Sequence, residues 1–313
     1  MKIVTLDAGT LPVQLTRPAY CDNWVYREST RLEDVISVMD NAEVVITNKV
    51  PLQKETLEKL PSLRFICVAA TGYDCIDIDF CREHGIAVSN VPGYSTSSVS
   101  EGVIASIFAL RRNLVEYSQS ARSDWLISSH FCLHKSPLMD IQGSTLGIIG
   151  RGDIGSAVAR LARAVGMTVL FAERPRCKEV REGYTLFEDV IRLSDVITLH
   201  CPLTPETHHI ISQYTLKSMK PSALIINTAR GALINEEDLA DALIAGSLAG
   251  AALDVFTTEP PSPTSKLLQV KHPNLIITPH IAWASETGVR NLIRGINYNL
   301  SGYFCGAIKN SVI

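Results

Sequence analysis

No stretch of the sequence approaches the ~20 consecutive apolar residues that a bilayer-spanning helix needs. The N-terminus, MKIVTLDAG, carries one lysine and an apolar run too short for a secretory signal. Neither sign of charge dominates: 29 Lys and Arg against 32 Asp and Glu leave −3, which gives no electrostatic case for nucleic acid or an anionic membrane. The eight cysteines (21, 67, 75, 81, 132, 177, 201 and 305) include no CxxC pair. Several sit in apolar segments, such as Cys67 in RFICVAA, so buried free thiols in a reducing cytosol are expected rather than disulfides, and the expected location is the cytoplasm. Histidines tempt a metal reading at His130 and His134, which flank Cys132, and at the adjacent His208 and His209. No second cluster with ligand spacing accompanies them, so no metal is expected. Internal repeats and low-complexity tracts are also absent.

What remains is a globular composition, 46% hydrophobic and 19% charged, in 313 residues, long enough for two domains. Short β-branched runs at 2–6, 43–47, 64–70 and 86–90 alternate with helix-like segments, which predicts a parallel sheet covered by helices. Pro51 is expected to open a short helix, PLQKETLEKL. Ser98 and Glu101 have capping-box spacing, and from there one helix is expected to run to about residue 123 and link two domains. Segment 124–143, with Trp125, Phe131 and Pro137, has no clean period yet is too apolar for a plain linker; it reads as an arm packing on something, such as a second subunit. A second α/β unit follows, with strands expected at 145–149, 168–172, 195–199, 223–227, 250–255 and 275–278. Its clearest helix is Asn235-capped and stops at Gly246, and a last helix is expected over 284–302.

Gly150-Arg151-Gly152-Asp153-Ile154-Gly155 fits GxGxxG. The motif alone is weak, but here it follows a strand, opens an apolar-periodic helix and precedes the strand TVLFA and Glu173. That is the context of a dinucleotide site, with helix N–H groups facing the pyrophosphate and Glu173 accepting from the adenosine ribose. A carboxylate there disfavours a 2′-phosphate, so NAD(H) is the expected cofactor; the neighbouring Arg174 leaves NADPH open. Arg230, Glu259 and His280 each follow an apolar run, at 223–228, 249–256 and 275–279. Ligands in open parallel sheets sit outside the carboxyl ends of the strands, so a cation, an acid and an imidazole are delivered to one crevice. Taken singly, each has an ordinary reading as a surface cation, a proline-turn acid or a loop histidine.

The ordered motifs ATGYDCIDI (70–78), NVPGYSTSSVSE (90–101), LGIIGRGDIG (146–155), HCPLTPETHHII (200–211), INTARGALINEEDL (226–239), ALDVFTTEP (252–260) and TPHIAWAS (278–285) resemble the D-isomer-specific 2-hydroxyacid dehydrogenases over nearly the whole chain. FAER, TGYD and HIAWAS lean toward the hydroxypyruvate reductase (glycerate dehydrogenase) branch. The resemblance implies two doubly wound α/β domains: a flavodoxin-like substrate domain (1–98 and 284–313) and an inserted Rossmann NAD-binding domain (99–283) that includes a dimerisation arm at 100–143. It implies a homodimer reducing a small 2-oxo acid, such as hydroxypyruvate or glyoxylate, to the D-2-hydroxy acid.

By position, His280 is the acid/base, Glu259 its partner and Arg230 the substrate anchor. The chemistry agrees. Free imidazole titrates near ~6.5, an adjacent carboxylate fixes its tautomer, and a guanidinium grips a carboxylate in two places. Thr71 and Gly72 would turn backbone amides to the substrate carboxylate, though an ordinary strand-to-helix turn reads the same. Asp254 would meet the nicotinamide carboxamide or simply cap its turn. Val99, Cys201, Pro202, Thr207, Thr228, Ala229 and Ala282 match cofactor-lining positions. Trp283 either narrows the pocket toward short substrates or packs between domains. Glu259 argues against formate dehydrogenases, which carry Gln there. A D-lactate-type or phosphoglycerate-type enzyme stays open, as does a non-catalytic NAD(H)-sensing protein of the corepressor kind.

Overall fold

A computed structural model describes every residue except 19, 20 and 178. The chain forms two compact units, Met1–Ser95 with Ala284–Ile313, and Thr96–Trp283. In the first, β1 (Lys2–Thr5), β2 (Asn23–Tyr26), β3 (Val44–Thr47), β4 (Phe65–Val68) and β5 (Ala87–Ser89) form an all-parallel sheet. Its order is β2-β1-β3-β4-β5, that of a flavodoxin-like doubly wound sheet. Every residue of β3 and β4 is buried, because helices cover both faces of a parallel sheet; such strands read as unbroken apolar runs. The edge strand β2, NWVY, was not anticipated: it has no fully buried residue and no apolar run to announce it. The last helix, Glu286–Phe304, is capped by Ser285, whose side chain accepts from Gly288 N. It returns to this unit by stacking Tyr303 on Phe65, ring centroids 4.6 Å apart.

The second unit holds β6 (Thr145–Ile149), β7 (Thr168–Phe171), β8 (Val196–Leu199), β9 (Leu224–Asn227), β10 (Gly250–Leu253) and β11 (Leu275–Ile277). All are parallel, in the order β11-β10-β9-β8-β6-β7. Beyond β7, a single parallel bridge joins Ala172 to Thr185, where a Rossmann sheet would carry its next strand. The order reverses at β6, so the carboxyl ends of β6 and β8 open a crevice where such sheets bind ligands.

Three local expectations fail. The helix expected from Ser98 to about 123 begins at Thr96, stops at Arg111 and restarts as Leu114–Ser120. Between them Asn113 sits at φ 46°, a left-handed conformation that asparagine tolerates. Its Nδ2 donates to Pro137 O at 2.7 Å, and the buried Arg111 donates Nε to Asp140 O at 2.8 Å. The tertiary contacts thus outweigh helix continuity. Ser98 lies inside the first turn, past the N-cap position, and its hydroxyl donates to Ala282 O at 2.6 Å. Pro51 stands outside the short helix Lys54–Leu57, because Leu52 pairs with Ile76 as an isolated bridge first.

Segment 124–143 carries one 3₁₀ turn, Asp124–Ile127, and leaves Leu126, Ile127 and Phe131 exposed at 76, 89 and 91%. The helix Thr96–Arg111 packs on Asp153–Ala164 through the core around Val103, Ile107 and Leu110. Replacing the fully buried Ile107 by alanine should cost ~2–5 kcal/mol. Equilibrium urea unfolding checks this, and a loss near zero would remove that helix from the core.

Candidate functional site

Arg230, Glu259 and His280 follow β9, β10 and β11, three neighbouring strands of one sheet. His280 Nδ1 lies 2.7 Å from Glu259 Oε2, with both side chains partly exposed, at 29 and 34%. A carboxylate can only accept, so Nδ1 carries the proton and Nε2 is the free ring nitrogen. Glu259 is itself aimed by Phe256 N, which donates to Oε1 at 3.0 Å.

His280 adopts φ 53°, which few non-glycine residues do, and several bonds hold it there. Its N–H donates to Asp254 O at 2.8 Å, and Trp283 Nε1 donates to its carbonyl at 3.0 Å. The Trp283 ring packs against the core of its own unit. The buried Asp254 carboxylate accepts from Thr278 Oγ1 (2.5 Å), Ile281 N (2.9 Å) and Ala282 N (2.9 Å). It therefore closes the loop that presents His280.

Arg230 is placed by residues the sequence reading passed over. The buried Asn227 accepts from Ala229 N at 3.0 Å and donates to Arg230 O at 2.8 Å, bracing the 227–230 loop. The Arg230 guanidinium donates Nη1 to Ala229 O at 2.8 Å. A Cβ on Gly231 would run into the Phe256–Thr257 backbone, so only glycine lets the two loops touch. Glu236 Oε1 accepts from Thr257 N at 2.6 Å and ties the same loops again. The signal was present, since Asn227 and Gly231 flank Arg230 in the motif, but nothing in spacing tells a packing glycine from a turn.

The fingerprint glycines divide their work. Gly150 has φ 105°, and a Cβ there would meet the His200–Cys201 backbone. A Cβ on Gly155, in the first turn of the helix Asp153–Ala164, would strike Gly150 O. Gly152, the N-cap residue, faces open space. Asp153 and Ile154 open that helix, and Arg151 lies over the Phe171 and Tyr184 rings, 4.8 and 5.3 Å from their centroids. Beside them burial pushes His200 down to about 4 and the Cys201 thiol up to about 11. Both side chains are therefore uncharged at neutral pH.

Among the remaining candidates, Val99 is buried in the Thr96–Arg111 helix. The Thr207 hydroxyl closes its own turn, donating to Pro202 O at 2.7 Å and accepting from Thr204 N at 2.8 Å. Thr71 and Gly72 belong to the first unit, just past β4, where Thr71 Oγ1 donates to Val91 O at 3.0 Å.

Residues 104–282 match the family model described as D-isomer specific 2-hydroxyacid dehydrogenase, NAD binding domain. The chain is 41% identical to a glycerate dehydrogenase of Methylorubrum extorquens, covering 99% of this chain and 98% of that one. It is 39% identical to a hydroxypyruvate reductase of Blautia hydrogenotrophica, covering 100% and 99%. It also superposes on the D-lactate dehydrogenase of Aquifex aeolicus complexed with NAD and lactic acid, at TM-score 0.78 and 28% identity, covering 98% and 96%. The chain belongs to the D-isomer specific 2-hydroxyacid dehydrogenases. It is an NAD-dependent oxidoreductase.

The dehydrogenase's own residues fit a dinucleotide. The open face of Gly152 lets backbone approach a pyrophosphate. Thr228 Oγ1 is buried and finds no hydrogen-bond partner among the described residues, a polar group suited to a ligand. Glu173, expected at the adenosine ribose, pairs with Arg181, whose Nε and Nη2 donate to its two oxygens at 2.7 and 2.6 Å. Arg174 contributes its backbone N–H to Glu173 Oε1 at 2.8 Å. The Arg181 pairing lowers the Glu173 carboxyl to about 2.

The glycine roles predict two distinct defects. Gly155→Ala should destabilise the fold by about 1–3 kcal/mol through overpacking, read as a lower melting temperature. Gly152→Ala should melt normally and weaken NADH binding by on the order of tenfold or more, measured by nicotinamide fluorescence. Equal behaviour of the two would sink this division of roles.

Proposed function

We propose that this dehydrogenase reduces hydroxypyruvate or glyoxylate to D-glycerate or glycolate, with Arg230, Glu259 and His280 as the reacting groups. The 2.7 Å contact between Glu259 Oε2 and His280 Nδ1 carries the reading. It leaves Nε2 to give a proton to the substrate's carbonyl oxygen. Arg230 holds the substrate carboxylate through its planar fork and, near the carbonyl, offsets the negative charge that grows on oxygen. When bound, the reduced nicotinamide supplies hydride to the carbonyl carbon. Trp283 and Asp254 act through His280, keeping its backbone in the left-handed conformation that points the ring. In the reverse direction the same Nε2 takes the alcohol proton.

Hydroxypyruvate and glyoxylate are preferred over lactate-type substrates because identity is 41 and 39% to a glycerate dehydrogenase and a hydroxypyruvate reductase, against 28% to the D-lactate dehydrogenase. The eight cysteines stand as free thiols, which supports the cytoplasm. No helix among the described residues is long and apolar enough to cross a membrane. The apolar arm is assigned to a homodimer interface, since Leu126, Ile127 and Phe131 stand largely exposed on one short segment.

His280→Ala should abolish reduction and leave NADH affinity largely intact; equal loss of both would contradict the proton-donor role. Arg230→Lys should lower kcat/KM by on the order of 10²-fold or more, equivalent to ~2.7 kcal/mol. A panel of 2-oxo acids should rank hydroxypyruvate or glyoxylate above pyruvate, and the opposite order would favour the D-lactate-type reading. For the arm, Phe131→Asp should shift sedimentation from dimer to monomer, and an unchanged coefficient would place the interface elsewhere.

A further inference from the structure

We propose that Arg181 decides which dinucleotide this enzyme accepts, by serving as a built-in counter-ion to Glu173 and presenting its own guanidinium to the adenosine ribose. The inference rests on the dinucleotide reading above and sharpens it. An acidic residue beyond the second strand of a Rossmann unit selects NAD because an accessible carboxylate accepts ribose hydroxyls and repels a 2′-phosphate. Both effects require that the carboxylate be reachable. Here Glu173 is 2% exposed, whereas the Arg181 side chain is 55% exposed. A ligand arriving at the end of β7 therefore meets the cation first.

The carboxylate's acceptor capacity is also spent. Oε1 takes Arg174 N (2.8 Å) and Arg181 Nη2 (2.6 Å), while Oε2 takes Arg181 Nε (2.7 Å) and Arg181 N (3.2 Å). Four donors match the roughly four lone-pair sites of an ionised carboxylate. A ribose hydroxyl could enter only by displacing a two-point charged pair, exchanging charge-assisted bonds for neutral ones.

The surroundings reinforce the sign. The Arg181 guanidinium lies 4.1 Å from the Tyr184 ring centroid, and Arg151 lies 5.3 Å from the same ring. One aromatic platform thus carries two guanidinium groups, the side chain best shaped for phosphate. Beyond the NAD(H) use shown for the family, this surface also binds NADPH, at least as tightly as NADH.

Titrating the purified enzyme with NADH and with NADPH, followed by nicotinamide fluorescence, tests this without turnover. Wild type should bind NADPH no more weakly than NADH, and Arg181→Ala should weaken NADPH by on the order of tenfold while leaving NADH within about threefold. Added salt should weaken NADPH more than NADH in wild type and lose that difference in Arg181→Ala. If Arg181→Ala does not fold, Glu173→Gln decides: it frees the guanidinium, so NADPH should bind as tightly as in wild type or more so. A preference for NADH of more than about tenfold in wild type, a Kd ratio unmoved in Arg181→Ala, or weaker NADPH binding in Glu173→Gln would each overturn the assignment. Failure to bind either nucleotide would instead overturn the dinucleotide reading itself.

Discussion

The buried carboxylate of Asp254 is the constraint from which the rest of the candidate site follows. Accepting from Thr278 Oγ1, Ile281 N and Ala282 N, it folds the chain after β11 back onto the end of β10. That fold-back forces His280 to φ 53°, a conformation costing of order 1–3 kcal/mol that persists only when its surroundings over-determine it. The surroundings do so, through Asp254 O on its N–H, Trp283 Nε1 on its carbonyl and Glu259 on its ring. Such strain is tolerable where it fixes the direction of one ring nitrogen. Asp254 is thus a turn cap by its contacts, and any service to a cofactor comes in addition.

A second constraint is steric and lies one strand over. The loop after β9 must touch the loop after β10, and it does so at Gly231, where any side chain would collide with Phe256 and Thr257. Asn227 braces the first of these loops from within, and Glu236 ties the segment after it to the second. Adjacent parallel strands place their carboxyl ends side by side, but only to the spacing of the sheet. Close packing of the loops brings the finer positioning that acid–base chemistry needs.

How much of this could be read from residues alone follows from what each residue is doing. The parallel sheets were legible because strands buried on both faces, such as VVIT and LIIN, must be unbroken and apolar. β2 was not, since an edge strand needs no such run, and neither was the helix break at Asn113, which is imposed by Pro137 and Asp140 far along the chain. Arg230, Glu259 and His280 stood out because charged or titratable groups follow apolar runs in sequence. Gly231 and Glu236 did not, because their work is done against a loop distant in sequence, and Asn227 did not, because an asparagine that braces its own loop reads like any turn residue.

Glu173 marks where pattern reasoning stops. The rule linking an acid after the second strand to NAD assumes that the acid faces the ligand. Sequence position says which strand end a residue occupies; it says nothing of what returns from a polar loop to cover it. Here the loop brings back Arg181 and, through Thr185, a one-residue remnant of strand pairing with Ala172. The bridge fixes the loop's return and the guanidinium fills the space above the carboxylate. The group that faces solvent there is then a guanidinium paired to the carboxylate. Identity at position 173 alone does not say which group a ligand meets first.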